Sequence, residues 1–349
     1  MKKLLLLFAA FVLFSSHDMF LKMGTFFLQP DTPATIKLFN GTFDKSENVI
    51  ARSRMKDVSL VGNGTRTNPD TTQWTDLDNI TILNFRTGEA GTWVAGVSTN
   101  PNNIELTAEE FNEYLEHDGV LDMLEWRKQN NALGEKAVEK YSKHVKAIFQ
   151  VGEKRTDDWQ TALGYPIEFV PLSNPYDLKP GDSLQVKLLR NGQPLPNKLL
   201  YAGSNGAGQG HGHEEDHAHS HEGEHEHADG HGHDHDDSHA HEHETEAEEE
   251  HHHNAAQLRT DANGIVTLKA VIEGQYYLRT IDMIRSQEPG LTHESNWATL
   301  TFEVGHGHSH DDGDHSHDDG LKHGIPAWAY WIGGLAILAV LLLWWRKNN

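Results

Sequence analysis

A segment that cannot enter a protein core interrupts this chain. Residues 211–253 hold sixteen His and sixteen Asp or Glu, with no Lys or Arg. Folding has to offset chain entropy with apolar burial, and this stretch has almost nothing apolar to bury. Whatever folds around it must carry it as an external loop, expected to be disordered without a ligand. Loop length is thermodynamically cheap, about 0.6 kcal/mol per doubling, so a sandwich tolerates such an insertion.

A second histidine-rich segment, 306–323, adds six His and five Asp. Together the two segments hold 22 of the 26 His. They also localise the acidity. Of the formal charge of −23, residues 211–253 supply −16 and 306–323 supply −4, five Asp against Lys322, leaving −3 for the rest. No basic patch marks a nucleic-acid surface. There is no cysteine, which excludes disulfides, zinc–thiolate sites and soft Cu(I)–thiolate chemistry, and leaves His, carboxylate, Met and water as ligands.

Both ends carry membrane signals. Lys2 and Lys3 precede the short apolar stretch Leu4–Phe14 and then Ser15 and Ser16, the pattern of a secretory signal peptide over 1–16, cut after Ser15 or Ser16. Ile325–Trp345 is an uncharged run of 21 residues, and at about 1.5 Å per residue it covers roughly 30 Å as a helix. Trp328, Tyr330 and Trp331 at one end, and Trp344 and Trp345 at the other, match interfacial aromatic belts. Arg346 and Lys347 favour a cytoplasmic tail over 346–349. The expectation is a single-pass inner-membrane protein with its bulk on the periplasmic, extracytoplasmic side.

Between these signals the pattern is mainly β. Runs such as Phe20–Leu28, Ala34–Phe39, Ile80–Phe85 and Thr92–Val97 are separated by turn pairs such as Asn63-Gly64 and Thr87-Gly88. Thr107 with Glu110 has the form of a capping box, followed by Phe111, Tyr114, Leu115, Leu121 and Leu124 at helical spacing. Ala137, Tyr141, His144, Val145 and Ile148 continue that spacing, with breaks at Gly119 and Gly134. Ser183–Leu189, Leu195–Tyr201, Ile265–Val271, Tyr276–Ile281 and Ala298–Val304 read as strands again, with a turn at Asn191-Gly192. The predicted architecture is two β-sandwich domains with a helical segment between them. They span 17–170 and 171–304, the second interrupted by the disordered 205–256 loop, and a stalk over 305–324 leads to one C-terminal transmembrane helix.

The histidines point to metal. Neutral imidazole is the commonest ligand for zinc, nickel and copper, and interleaved carboxylates supply charge and orient ring nitrogens. In the loop the candidates are His211, His213, His217, His219, His221, His225, His227, His231, His233, His235, His239, His241, His243, His251, His252 and His253. In the stalk they are His306, His308, His310, His315, His317 and His323. The recurring His-x-His unit places alternate imidazoles on one side of an extended chain, so several exchangeable sites are expected rather than one rigid cage. A flexible chain of some fifty residues explores roughly 40 Å, which suits multivalent capture.

Four histidines lie elsewhere: His17, His117, His144 and His293. His17 becomes the first or second residue after cleavage, and a free α-amine beside an imidazole chelates copper(II) or nickel(II). His144 reads as a structural histidine on an apolar helix face, His117 as exposed near a helix end, and His293 as preceding a strand.

No phosphate loop, nucleophile elbow or His-Glu-x-x-His helix occurs, so an enzyme is not expected. The leading expectation is a membrane-anchored extracytoplasmic protein that captures nickel, cobalt or zinc, with copper the further alternative, and delivers it to a metal permease or ABC-type uptake partner. The alternatives are a structural or interaction sandwich with a pH-responsive histidine loop, and a copper oxidative enzyme using an N-terminal His chelate.

Several short motifs point to a known family. His17–Lys22 (His-Asp-Met-Phe-Leu-Lys), Phe111–Leu115 (Phe-Asn-Glu-Tyr-Leu), Tyr141–Lys146 (Tyr-Ser-Lys-His-Val-Lys) and Glu294–Phe302 (Glu-Ser-Asn-Trp-Ala-Thr-Leu-Thr-Phe) resemble the NikM-like periplasmic domain family, linked to nickel or cobalt uptake. The resemblance spans about 17–304 apart from the tract. It implies a β-sandwich and an N-terminal histidine, here His17, as metal ligand. The segment 197–281 is also similar to the transthyretin- or carboxypeptidase-regulatory-like sandwich used as an added module.

Overall fold

A computed structural model describes residues 17–205 and 255–305. The predicted signal peptide, nearly all of the loop, the stalk histidines and the 325–345 run lie outside the described residues. Among the described residues no helix is long and apolar enough to cross a membrane.

The fold is mainly β, with several sheets and two helices. In chain order the first half contains β1 (Asp18–Lys22), β2 (Phe27–Leu28), β3 (Pro33–Gly41), β4 (Met55–Gly62), β5 (Thr65–Thr67), β6 (Trp74–Leu77), β7 (Ile80–Arg86), β8 (Gly91–Thr99) and β9 (Asn102–Leu106). Helices α1 (Ala108–His117) and α2 (Leu121–Gln129) follow, then β10 (Ala137–Val151) and β11 (Ile167–Pro171). The remaining strands are β12 (Ser183–Arg190), β13 (Gln193–Pro194), β14 (Leu199–Ser204), β15 (Ala256–Arg259), β16 (Ile265–Lys269), β17 (Gly274–Arg285) and β18 (His293–Val304).

A four-stranded sheet has the order β1-β3-β7-β6, and a ten-stranded sheet runs β15-β14-β17-β18-β10-β8-β4-β5 with β2 and β9 also on β10. A third sheet joins β11, β12, β13 and β16. Within the large sheet, C-terminal β18 lies parallel to β10, in register from Glu139↔His293 to Ala147↔Thr301. Leu38 of the first sheet, Phe149 and Leu300 of the second, and Phe169 and Leu188 of the third share one apolar cluster, all of them fully buried. Each such side chain contributes roughly 1.5–3 kcal/mol on leaving water, which holds the sheets face to face as in a sandwich.

The helical section is shorter than its periodicity suggests. At α1 the capping box forms: the Thr107 hydroxyl accepts from the Glu110 amide, and Glu110 Oε2 accepts from the Thr107 amide at 2.8 Å. Phe111, Tyr114 and Leu115 then bury against Ile281, Met283 and Trp297. Gly119 turns the chain between the helices at φ 71°, where a Cβ would meet the Tyr201 hydroxyl at 2.2 Å. Residues 137–148, whose spacing reads as helix, are strand instead. β10 is central in its sheet, flanked by β8, β9 and β18, and every residue from Ser142 to Val151 is buried. A strand covered on both faces loses its polar/apolar alternation, and its apolar positions then fit a helical template by accident.

The loop enters and leaves the fold through one hairpin. β14 and β15 pair antiparallel from Leu199↔Arg259 to Ala202↔Ala256, at the edge of the large sheet. The ends of the histidine-rich segment are therefore anchored on neighbouring strands.

Candidate functional site

His17 is the one sequence-predicted site residue that the described structure places in a polar setting at the surface. It directly precedes β1, whose position is fixed from three sides. β3 pairs with it from Asp18↔Gly41 to Lys22↔Lys37. The β18 hydroxyls of Thr299 and Thr301 donate to the carbonyls of Met19 and Leu21 at 2.8 and 2.5 Å. Buried Asp18 accepts from Arg279 Nη1 at 2.6 Å.

Around His17 two side chains converge. Its Nδ1 lies 3.0 Å from Glu47 Oε2. Its carbonyl accepts from Lys143 Nζ, which also donates to Asn40 Oδ1 at 3.2 Å. Glu47 reaches this point on a tight loop: its amide donates to Asn40 O at 3.0 Å, and the Ser46 hydroxyl joins the Asn40 amide to Asn79 O. Gly41 permits that closure, because a Cβ there would stand 2.4 Å from Lys45 O and 3.0 Å from Glu47 N.

Electrostatics divide the neighbourhood. Burial lowers the His17 pKa from its ordinary value, with Glu47 opposing and Lys143 reinforcing the change. Burial also brings Lys143 down to about 8, with Asp18 and Asp118 pulling the other way. No carboxylate among the described residues pairs with Lys143, whose ammonium packs 5.1 Å from the Trp297 ring. Deeper on the same strand, burial pushes the Glu139 carboxyl up to about 7, and its partners are the hydroxyls of Tyr114 and Ser295.

The other three histidines are not brought to His17's described polar partners. His117 ends α1 with its ring exposed, and its pKa is raised chiefly by the bond to Asp118 at 3.4 Å. His144 is not on a helix; it is buried in β10 between Ser98, Ser142 and Asn296, and burial lowers it to about 4. His293 is fully buried against Phe111, bonded through Nδ1 to Thr292, and likewise lowered to about 4 by burial. Both are neutral structural histidines at physiological pH. Among the described residues no group of three or more His, Cys, Asp or Glu is placed to hold a metal ion. The 22 loop and stalk histidines lie outside the described residues.

Glu47 carries no sequence signal, and Lys143 appears in the sequence only within the Tyr141–Lys146 motif, with no link to position 17. Nothing in spacing links them to position 17; the β1–β3 register and the loop after Gly41 do.

A family model described as a domain of unknown function, DUF4198, matches residues 14–283. The chain belongs to the DUF4198 family. No curated protein matches it. Solved structures align at low identity over 82% of the chain. A Salmonella alpha-2-macroglobulin mutant is 11% identical with a TM-score of 0.19, and the aligned part covers 15% of that protein. Trypsin-activated alpha-2-macroglobulin from Escherichia coli is 9% identical with a TM-score of 0.18, again with 15% of its length covered. The D0-D1 domain of intimin is 10% identical with a TM-score of 0.16, and 97% of it is covered. The chain thus spans about 15% of the macroglobulins it matches, and scores this low say nothing about the function of a DUF4198 protein.

Proposed function

We propose that this DUF4198 protein is a membrane-anchored, extracytoplasmic transition-metal-binding protein that captures nickel, cobalt or zinc and passes it to a metal transporter. The observation that carries the reading is the loop: sixteen His interleaved with sixteen carboxylates, held at both ends by the β14–β15 hairpin. Anchoring both ends on one sheet edge keeps many weak ligands at high local concentration, so avidity replaces a rigid cage. Ligand type favours borderline divalent ions over calcium or magnesium, because imidazole outnumbers every other neutral donor there. His17, on the rigid β-framework, provides a fixed ligand that the loop lacks.

The resemblance of His17–Lys22 and Glu294–Phe302 to NikM-like periplasmic domains supports nickel or cobalt as the cargo. It also supports an uptake system as the partner. Under this reading the metal is substrate, and the 306–323 histidines beside the apolar 325–345 run serve transfer at the membrane.

Uptake of radioactive nickel by cells carrying the full protein, or a variant lacking residues 206–254, tests delivery. The variant is expected to slow uptake several-fold at limiting nickel and to match the full protein at excess nickel. Equal uptake at limiting nickel would contradict the proposal.

A further inference from the structure

A groove of about 450 Å³ lies along helices α1 and α2. Leu124, Leu133 and Asn112 line it together with three glutamates, Glu109, Glu113 and Glu116. Its volume falls in the range of preformed binding clefts, about 300–1,000 Å³. Leu124 is 6% exposed and Leu133 is 40% exposed, so the apolar lining runs from the core out to solvent.

The walls are fixed from beneath. Arg127 of α2, fully buried, donates to Asn112 Oδ1 of α1 at 2.9 Å and to the Glu135 carbonyl at 2.7 Å. The Asn112 side-chain amide in turn donates to the Leu133 carbonyl at 2.9 Å. One buried guanidinium thus joins both helices to the segment that presents Leu133, and the groove is formed before anything enters it.

Glu109, Glu113 and Glu116 recur at i, i+4 and i+7, which makes one exposed stripe along α1. The helix gains nothing from it. Like charges at this spacing repel, and Glu116 stands in the last turn, at the negative end of the helix dipole. Lys128 is the one cation among the residues that line the groove. A stripe that works against its own helix is expected where the surface serves contact with another molecule.

We infer that the α1–α2 groove docks a segment of a partner protein in which an apolar side chain is flanked by Lys or Arg. The apolar side chain enters beside Leu124 and Leu133, and the cations meet the glutamate stripe, which steers the encounter and selects the partner. Charge rules out the other occupants. Nucleic acid and anionic lipid would face the stripe with like charge. The 211–253 segment, at −16, would do the same, as would this face of a second copy. The groove is also fastened to both strands that carry the histidine-rich loop. Tyr201 of β14 donates to the Gly119 carbonyl at 3.0 Å, and Arg259 of β15 donates to both carboxylate oxygens of Asp122 at 3.0 and 2.8 Å. The inference goes beyond the metal-binding reading and holds whether or not the loop binds metal.

Methyl NMR of the full chain with 13C-labelled leucine tests this, with Leu124 and Leu133 assigned from Leu124→Met and Leu133→Met samples. The probe is an amphipathic peptide of Leu and Lys alone, and a Leu/Glu peptide of the same pattern is the control. Basic peptide also collects on the acidic loop, but these two methyl signals report the groove. The Leu/Lys peptide is expected to shift both signals saturably, more weakly at high salt, and the Leu/Glu peptide to leave them in place. In E113Q/E116Q, whose exposed amides leave α1 intact, the affinity read at these signals is expected to fall about 3–10-fold, the worth of two exposed ion pairs. Signals unmoved by the Leu/Lys peptide, equal binding of the two peptides, or an unchanged affinity in E113Q/E116Q would overturn the inference. Shifts on deleting residues 206–254, or on concentrating the protein without peptide, would make the loop or a second copy the occupant and overturn it as well.

Discussion

Glu139 shows how strongly a single buried group can bind the stability of this fold to pH. It is 2% exposed on β10, and no cation pairs with it among the described residues. Burial raises its carboxyl from the ordinary 4.5 to about 7. Between those values the unfolded chain has lost the proton and the folded chain has kept it, so stability falls as pH rises through this window and levels off above about 7. Glu139→Gln keeps a hydrogen-bond acceptor for Tyr114 and Ser295 without the charge. It is expected to be more stable than the parent by about 1–3 kcal/mol at pH 8, with the gap shrinking toward pH 4.5. Urea unfolding across that range checks this; a gap independent of pH would show that the Glu139 charge is not its source. Lys146 and Glu168 are equally buried but differ in kind. Glu168 accepts from Lys146 Nζ at 3.1 Å and from the amides of Leu163, Gly164 and Tyr165, so every charge there has a partner. Removing one partner of such a buried pair leaves an uncompensated charge and typically costs about 3–5 kcal/mol.

At the scale of elements, the parts legible in the sequence are those with local causes. The Thr107 capping box starts α1 because its donors and acceptors lie three residues apart. Asn63-Gly64 and Asn191-Gly192 form their turns because both residues adopt positive φ, which these two types tolerate best. What was not legible is long-range. β10 read as helix because its burial comes from β8 and β18, distant in sequence. The parallel β10–β18 pairing, which puts N- and C-terminal strands in one sheet, has no local signature. The same holds for the site. His17 was legible from its place after the apolar N-terminal stretch, whereas Glu47 is reached only through the fold. Gly41→Ala tests the element that delivers Glu47. Its Cβ would stand 2.4 Å from the Lys45 carbonyl, so the loop must shift, and the variant is expected to lose about 1–3 kcal/mol. Thermal unfolding measures that loss, and a variant as stable as the parent would mean that the loop closes without a bare Cα.

For the whole molecule, the arrangement is a β-framework that carries a ligand-dense segment on one of its edges. The framework is close to charge-neutral, and nearly all of the net −23 belongs to the two histidine segments. Such a division leaves the framework to fold on apolar burial, and on the proposed function the two segments supply the response to ions and pH. Imidazole binds metal only when unprotonated, and ordinary histidines titrate near ~6.5. On the proposed function, metal held by the loop is expected to be released on acidification, even where His144 and His293 stay neutral inside the core. Equilibrium dialysis of the purified full chain against micromolar nickel or zinc, with bound metal counted by elemental analysis, tests the central claim most directly. The expected result is several ions per chain at neutral pH, falling steeply by pH 5; a chain that retains one ion or none at neutral pH would contradict it.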